Sequence, residues 1–312
     1  MPFAVGGNAR IRTNISAQNA YNSLEIANKD ISLRQLRLST GKRVNVASDD
    51  VAGYITARAL QARSGSLKAA LKAVGDAQNS GYIIMDSLEN IGTLMNTIKD
   101  STATAASGAM GTDEKVALAK AAFRMVQQIQ TIVDSTVFGG RQLIDGTFSA
   151  DFIIGTNATN NLITLDLNLT QSNIDFNVSS NNFNINSMGV GTFAGITGLD
   201  MRMFDDVSSS DLGIFGYPTI GITLISLTEA LNNVSKVASY VGGIVNRLDS
   251  QELLLNSQIV NYNTAISRIE DADVAREQLD LVKSQFLQQA SLASLTQANQ
   301  NPQSFLQLIS GR

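Results

Sequence analysis

The sequence predicts a mainly α protein: a long coiled-coil-like helical bundle built from both chain ends, with a small central β insert. Three observations predict it. Apolar residues recur at 3-4 spacing from about residue 11 to 138 and again from about 220 to 310. Between them, from about 139 to 219, Gly, Asn and Ser rise and apolar and polar residues alternate instead. Only three prolines occur in 312 residues (Pro2, Pro218 and Pro302), which leaves nearly the whole chain free to be helical.

The first helix carries a seam of Ala17, Ala20, Leu24, Ala27, Ile31 and Leu38, interrupted by Arg34. Gly41 ends it, with Lys42 and Arg43 beside its negative end. Ser48 is placed to cap a second helix, with Asp49 and Asp50 at its positive end. That helix runs towards Ile98 and is clearest at Ile84, Leu88, Ile91, Met95 and Ile98. Ser101 to Gly111 is small and polar and reads as a loop. Thr112 then caps a third helix striped by Val116, Ala119, Phe123, Val126, Val133 and Val137, with Gln130 as the exception. Phe138-Gly139-Gly140 stops it.

In the insert, Ile163, Leu165, Leu167 and Leu169 share one face, while Thr164, Asp166 and Asn168 share the other. Ile174, Phe176 and Val178 repeat the alternation, as do Phe183 and Ile185. Helix resumes with Val234, Val237, Val241, Ile244 and Leu248. After one slip in phase it continues through Leu255, Ile259, Tyr262, Ile266 and Ile269, then Leu279, Val282, Phe286 and Ala293. Arg268 to Asp273 is the dense charge cluster of this region, and Pro302 should disturb the helix near its end.

Composition excludes most chemistry. There is no Cys, His or Trp, so a disulfide, a thiolate nucleophile, a His general base and the usual zinc site are all ruled out. With 23 basic and 27 acidic residues the net charge is −4, which gives no field for nucleic acid. No apolar run is long enough to insert in a membrane, and Met1 to Asn8 does not read as a secretory signal. No cofactor is expected.

The end of the chain departs from an ordinary solvated helix. Ser284 to Gly311 is a run of 28 residues without a charge, its polar face built from Gln, Ser, Asn and Thr. A solvated coiled coil carries Glu and Lys at its flanks. Ordering a residue costs roughly 1–2 kcal/mol, more than such a lone helix recovers by burial. Both termini therefore read as assembly elements, unfolded alone and packed on several sides in a polymer.

Specific runs add a resemblance. They are Arg12-Thr13-Asn14-Ile15-Ser16-Ala17-Gln18-Asn19-Ala20, Leu38-Ser39-Thr40-Gly41-Lys42-Arg43-Val44-Asn45-Val46-Ala47-Ser48-Asp49-Asp50-Val51-Ala52-Gly53 and Val137 to Gly146. Towards the other end stand Ala265 to Ala275, Gln288-Gln289-Ala290 and Gln297 to Gln303. In this order and combination the chain resembles bacterial flagellin, the subunit of the flagellar filament, over roughly 11–146 and 220–310. The resemblance implies an extracellular structural subunit for swimming motility. It implies export, unfolded, through the flagellar type III apparatus with an export chaperone, and assembly with itself, or with other flagellins, alongside cap and junction proteins. It divides the chain into an inner-tube helix (1–45), a central shell (46–146), an outward β insert (147–219), the rest of the shell (220–270) and a second inner-tube helix (271–312). Inner-tube contacts would then fall to Ile15, Leu24, Ile31, Leu38, Leu279, Val282, Phe286 and Gln289. Shell contacts would fall to Asn45, Asp49, Asp50, Gly53, Arg268, Glu270, Asp271 and Asp273. Met1 to Arg10 is longer than the segment that usually precedes this motif.

Three other readings compete. The hook–filament junction protein shares similar terminal helices, but the Arg268-to-Asp273 cluster and the Gln297-to-Gln303 run favour flagellin. An enzyme could use Asp49-Asp50 as a carboxylate dyad, yet such a pair more often serves a helix start. A secondary adhesin role could reside in the Asn-rich insert, near sequons at Asn157, Asn168, Asn177 and Asn233.

Overall fold

The computed structural model describes residues 13–155, 162–168, 201–309 and 311. It contains α1 (Ile15–Thr40), α2 (Val51–Ala105), α3 (Thr112–Ser135), β1 (Val137–Phe138), β2 (Arg141–Gln142), β3 (Ser149–Ile153), β4 (Leu162–Asp166), α4 (Thr219–Glu270) and α5 (Val274–Ile309). The mainly helical class with a small central β portion is the one the sequence predicts. The strands expected at Ile174 to Val178 and at Phe183 to Ile185, with Leu169 and Met1 to Arg10, lie outside the described residues.

The chain forms two compact units, Met1–Ser64 with Val260–Arg312 and Gly65–Ile259. In the second, α2 buries Leu67, Ala70, Val74, Ala77, Gly81, Ile84, Leu88, Ile91, Met95, Ile98, Thr102 and Ala105, a 3-4 repeat once it reaches Ala70. The loop expected from Ser101 is helix as far as Ala105. Ser101, Thr102 and Thr104 donate their hydroxyls to the carbonyls of Thr97, Ile98 and Asp100, each at 2.8 Å, so small polar residues continue the helix.

Gly111, not Thr112, precedes α3, and its N–H donates to Glu114 Oε2 at 3.0 Å. The buried stripe of α3 is Ala119, Ala122, Val126, Ile129 and Val133. Ile129 therefore holds the place where Gln130 looked like an exception, and Phe123 is only half-buried. Val137 has left the helix for β1. Gly139 and Gly140, at φ 59° and 82°, turn β1 directly into β2, a two-residue loop that needs positive φ twice.

β4 alternates as expected, with Ile163, Leu165 and Leu167 buried, and it pairs antiparallel with β3 from Ser149↔Asp166 to Ile153↔Leu162. The return towards α4 is not all exterior. Phe204, Val207, Ile214 and Phe215 are buried, and the two phenyl rings meet edge to face at 5.7 Å.

In α4, Val234, Val237, Val241, Ile244 and Leu248 are buried in one 3-4 phase that Leu255 keeps, and Ile259 is buried one residue beyond the next position of that phase, so the expected slip is present. The gap between Leu248 and Leu255 is polar: Gln78 Nε2 donates to Asp249 Oδ1 at 2.8 Å and to Glu252 Oε2 at 2.9 Å.

Candidate assembly site

The first unit is built on the pairing of α1 with α5. Asn14 lies beside Ala298, Asn28 beside Gln288 and Arg34 beside Glu277, so the helices run antiparallel. The α1 face is the expected one: Ala17, Ala20, Leu24, Ala27, Ile31 and Leu38 are all buried or half-buried. Arg34, which interrupts that face, has a partner. Its Nη1 donates to Glu277 Oε2 at 2.7 Å and lies 3.4 Å from Asp280 Oδ2, while Arg37 Nη1 reaches Glu277 Oε1 at 3.3 Å. The Glu277 hydrogen bond raises the Arg34 pKa further above neutrality.

The α5 face is not the apolar one. The positions turned inward are Glu277, Leu281, Ser284, Gln288, Ser291, Leu295, Ala298 and Pro302, spaced 4-3-4-3-4-3-4. Leu279, Val282, Phe286 and Gln289 are exposed, Leu279 by 73% and Phe286 by 66%. At about 100° per residue they lie on roughly the opposite side of the helix. On α1, Ile15, Ile26 and Leu36 are likewise exposed. Thus Leu24, Ile31 and Leu38 serve pairing within the chain, whereas Ile15, Leu279, Val282, Phe286 and Gln289 stand free of it. Periodicity missed Glu277, Ser284 and Gln288 because a heptad made of polar and small residues gives little apolar signal.

Pro302 does not end α5, which continues to Ile309. Proline has no N–H for the carbonyl four residues back, Ala298. Asn14 Nδ2 donates to that carbonyl at 2.7 Å, while Asn14 Oδ1 caps α1 by accepting from the Ala17 N–H at 3.1 Å.

The two inter-helix turns, after α1 and after α4, are tied together. Gly41 takes a left-handed φ of 69°, and its carbonyl accepts from the Ala272 N–H at 2.9 Å. Lys42 and Asp271 form an antiparallel bridge. The Arg43 N–H donates to the Glu270 carbonyl at 2.6 Å, which satisfies one of the orphan acceptors at the end of α4. The Glu270 side chain is only 4% exposed as a residue and accepts from Lys42 Nζ at 3.0 Å and Gln61 Nε2 at 2.8 Å.

Asp49 Oδ2 accepts from the Asn45 and Val46 N–H groups at 3.0 and 3.1 Å, and these bonds hold its carboxyl below the usual range. Asn45 Nδ2 returns to the Lys42 carbonyl. The cap of α2 is Asp50, not Ser48: Asp50 Oδ1 accepts from the Gly53 N–H at 2.9 Å. A Cβ on residue 53 would overlap that carboxylate, so a larger residue there would displace the Asp50 cap. Asp273 caps α5 by accepting from the Ala275 and Arg276 N–H groups. Seven of the eight residues assigned to the shell thus knit this turn, and the exposed Arg268 has no hydrogen-bond or ion-pair partner among the described residues.

Among the described residues there is no group of acidic side chains, His or Cys able to hold a metal, and no helix long and apolar enough to cross a membrane. Asp49 and Asp50 are both engaged by backbone amides.

Comparison with known proteins agrees at both ends. Residues 11–149 match the bacterial flagellin N-terminal helical region and residues 224–309 the bacterial flagellin C-terminal helical region. The flagellin of Bacillus subtilis (strain 168) is 29% identical over 311 residues, covering 96% of this chain and 99% of the relative. The flagellin of Listeria monocytogenes is 24% identical over 304 residues, and the flagellar filament 33 kDa core protein of Treponema phagedenis 25% over 302, with the same two coverages.

Proposed function

The chain belongs to the bacterial flagellin family, and from that premise we propose how it is delivered and joined. It is a structural subunit of the extracellular flagellar filament, not an enzyme. Our reading is that it leaves the cell unfolded through the flagellar type III apparatus, held by an export chaperone, and adds to the filament beneath a cap and beyond a junction ring. The composition supports this: with no Cys, no disulfide has to form or break along that route.

The observation that carries the assembly reading is the outward face of α5. Leu279, Val282 and Phe286 lie at helical spacing, exposed, in and beside a run without charge. Exposed apolar faces of this kind mark protein–protein contact. We assign that face, with Ile15 of α1, to neighbouring subunits, and we assign the tied turn to keeping the shell portion of each subunit rigid.

The test is polymerisation of the purified chain, scored by electron microscopy, beside a Phe286→Ser variant. Long filaments from the parent and none from the variant are expected. Short rings that do not elongate would favour the junction-protein reading, and filaments from Phe286→Ser would remove the α5 face from assembly.

A further inference from the structure

The α1–α5 seam repeats itself every seven residues, which makes its register a problem. Ala17, Leu24, Ile31 and Leu38 form one row of α1, and Ser284, Ser291 and Ala298 one row of α5. Rows of similar small and aliphatic residues tolerate a shift by one heptad, and polar groups at chosen seam positions are the established remedy. At one end of the pair the remedy is the Arg34–Glu277 ion pair at 2.7 Å. The other end lies 20 residues of α1 away, between Asn14 and Arg34, and no charge marks it.

We propose that Pro302 and Asn14 form an uncharged register lock at that end, in which the carbonyl of Ala298, left without a helical donor by Pro302, is the sole receptor for the Asn14 amide. Every other inward carbonyl of α5 has an N–H four residues on. Ala298 does not, and it lies buried on the α1 side. Leaving it unpaired would cost the desolvation of a carbonyl. Asn14 meets it at 2.7 Å while its own oxygen caps α1, so the first residue of α1 is fixed to one height on α5. Shifting by a heptad would place Asn14 beside a carbonyl already bonded and would orphan Ala298. The lock rests on the filament reading for its purpose: it sets the height at which Ile15 and the Leu279–Phe286 face are offered to neighbours.

The chain has no cysteine, so introduced pairs report register cleanly. Asn28→Cys with Gln288→Cys reads the observed register, because these side chains now share a hydrogen bond of 2.6 Å. Asn28→Cys with Leu295→Cys reads a one-heptad slip. Each pair is oxidised in an Arg34→Gln background, which weakens the charged end at Glu277; salt alone would screen so buried a pair only in part. The lock is then removed by Asn14→Ser, which still caps a helix but is too short to reach Ala298, by Pro302→Ala, or by both. The ratio of native to slipped crosslink should fall roughly fivefold in either single variant, on the scale of one hydrogen bond, and no further in the double variant. If Pro302 matters only as a helix breaker, Pro302→Ala should raise the ratio instead, and that result would overturn the lock. So would an unchanged ratio in Asn14→Ser, or losses that multiply in the double. Oxidation traps whichever register the mobile helices visit in the free chain, and the ratio is read again after polymerisation, so a chain that favours the native crosslink but never forms filaments counts against the filament reading and not against the lock.

Discussion

At the scale of single residues, two positions show how a local contact becomes a measurable quantity. The Asp49 carboxylate accepts two backbone amides and titrates below its ordinary value. A carboxylate with a lower pKa folded than unfolded stabilises the fold above its unfolded pKa, and loses that contribution as pH falls through the folded pKa. The turn after α1 should therefore loosen below about pH 4, near the ordinary Asp value. Melting temperatures between pH 6 and pH 2.5 should fall less steeply in Asp49→Asn, which has no such proton to gain. Gly81 sits where α2 meets α4: a Cβ there would come within 2.6 Å of Val245 Cγ2. Gly81→Ala should cost about 1–3 kcal/mol through forced displacement. Gly75→Ala, with no atom within 4 Å of its Cβ, should gain up to about 1 kcal/mol from helix propensity. Urea denaturation of the two variants checks both signs.

At the scale of elements, the sequence was readable wherever burial is apolar. The stripes of α1, α2 and α4 stand where their spacing put them, as do the alternating residues of β4. It was unreadable where polar residues do the packing. Glu277, Ser284 and Gln288 carry the inward face of α5, so the larger apolar residues mark a face other than the one that pairs with α1. The Pro302 rule failed for the same reason: its consequence is met by a side chain 288 positions away in sequence, Asn14. Strands β1, β2 and β3 are too short or too polar to announce themselves. Two experiments separate these faces. Gln289→Glu lies on the outward face of α5, so the melting of the free chain should not change. In a filament it would repeat one uncompensated charge per subunit, and polymerisation at neutral pH should fail. Filaments of normal yield would take Gln289 out of the interface. In the insert, deleting 179–210 would remove Phe204 and Val207, which are buried, so the second unit should lose several kcal/mol of stability. A deletion confined to 179–200, bridged by a short Gly-Ser link, spares them and should leave its melting close to that of the parent.

At the scale of the whole chain, the two units differ in what holds them. Among the described residues, the largest fully buried side chains are Phe204, Phe215, Ile84, Leu88, Ile91, Met95, Ile98, Leu143, Ile163, Leu165 and Leu227. All belong to Gly65–Ile259. The other unit buries mostly small or polar side chains at its α1–α5 seam, namely Ala27, Ser284, Ala298 and the ion-paired Glu277, with Leu281 as the large one. Many of its large residues, among them Tyr21, Ile26, Leu279 and Phe286, are outside, and Leu24, Ile31, Leu38 and Leu295 are only half-buried. A large aliphatic or aromatic side chain contributes about 1.5–3 kcal/mol when fully buried, and a small one far less. The cost of ordering the backbone is the same for both units, about 1–2 kcal/mol per residue. The second unit can meet that cost from within the chain. We infer that the α1–α5 pair cannot, and that it needs neighbouring subunits over its outward faces. Amide exchange on the free chain should therefore show strong protection through α2, α3 and α4 between Gly65 and Ile259, and exchange within seconds along α1 and α5. After polymerisation the same amides of α1 and α5 should become protected by orders of magnitude, with little change in the second unit. Removing 1–45 and 271–312 should leave a protein that melts cooperatively near the temperature of the parent and does not polymerise at any concentration. Slow exchange along α1 and α5 in the free chain would mean that the seam suffices alone, and the outward apolar faces would then need another explanation than assembly.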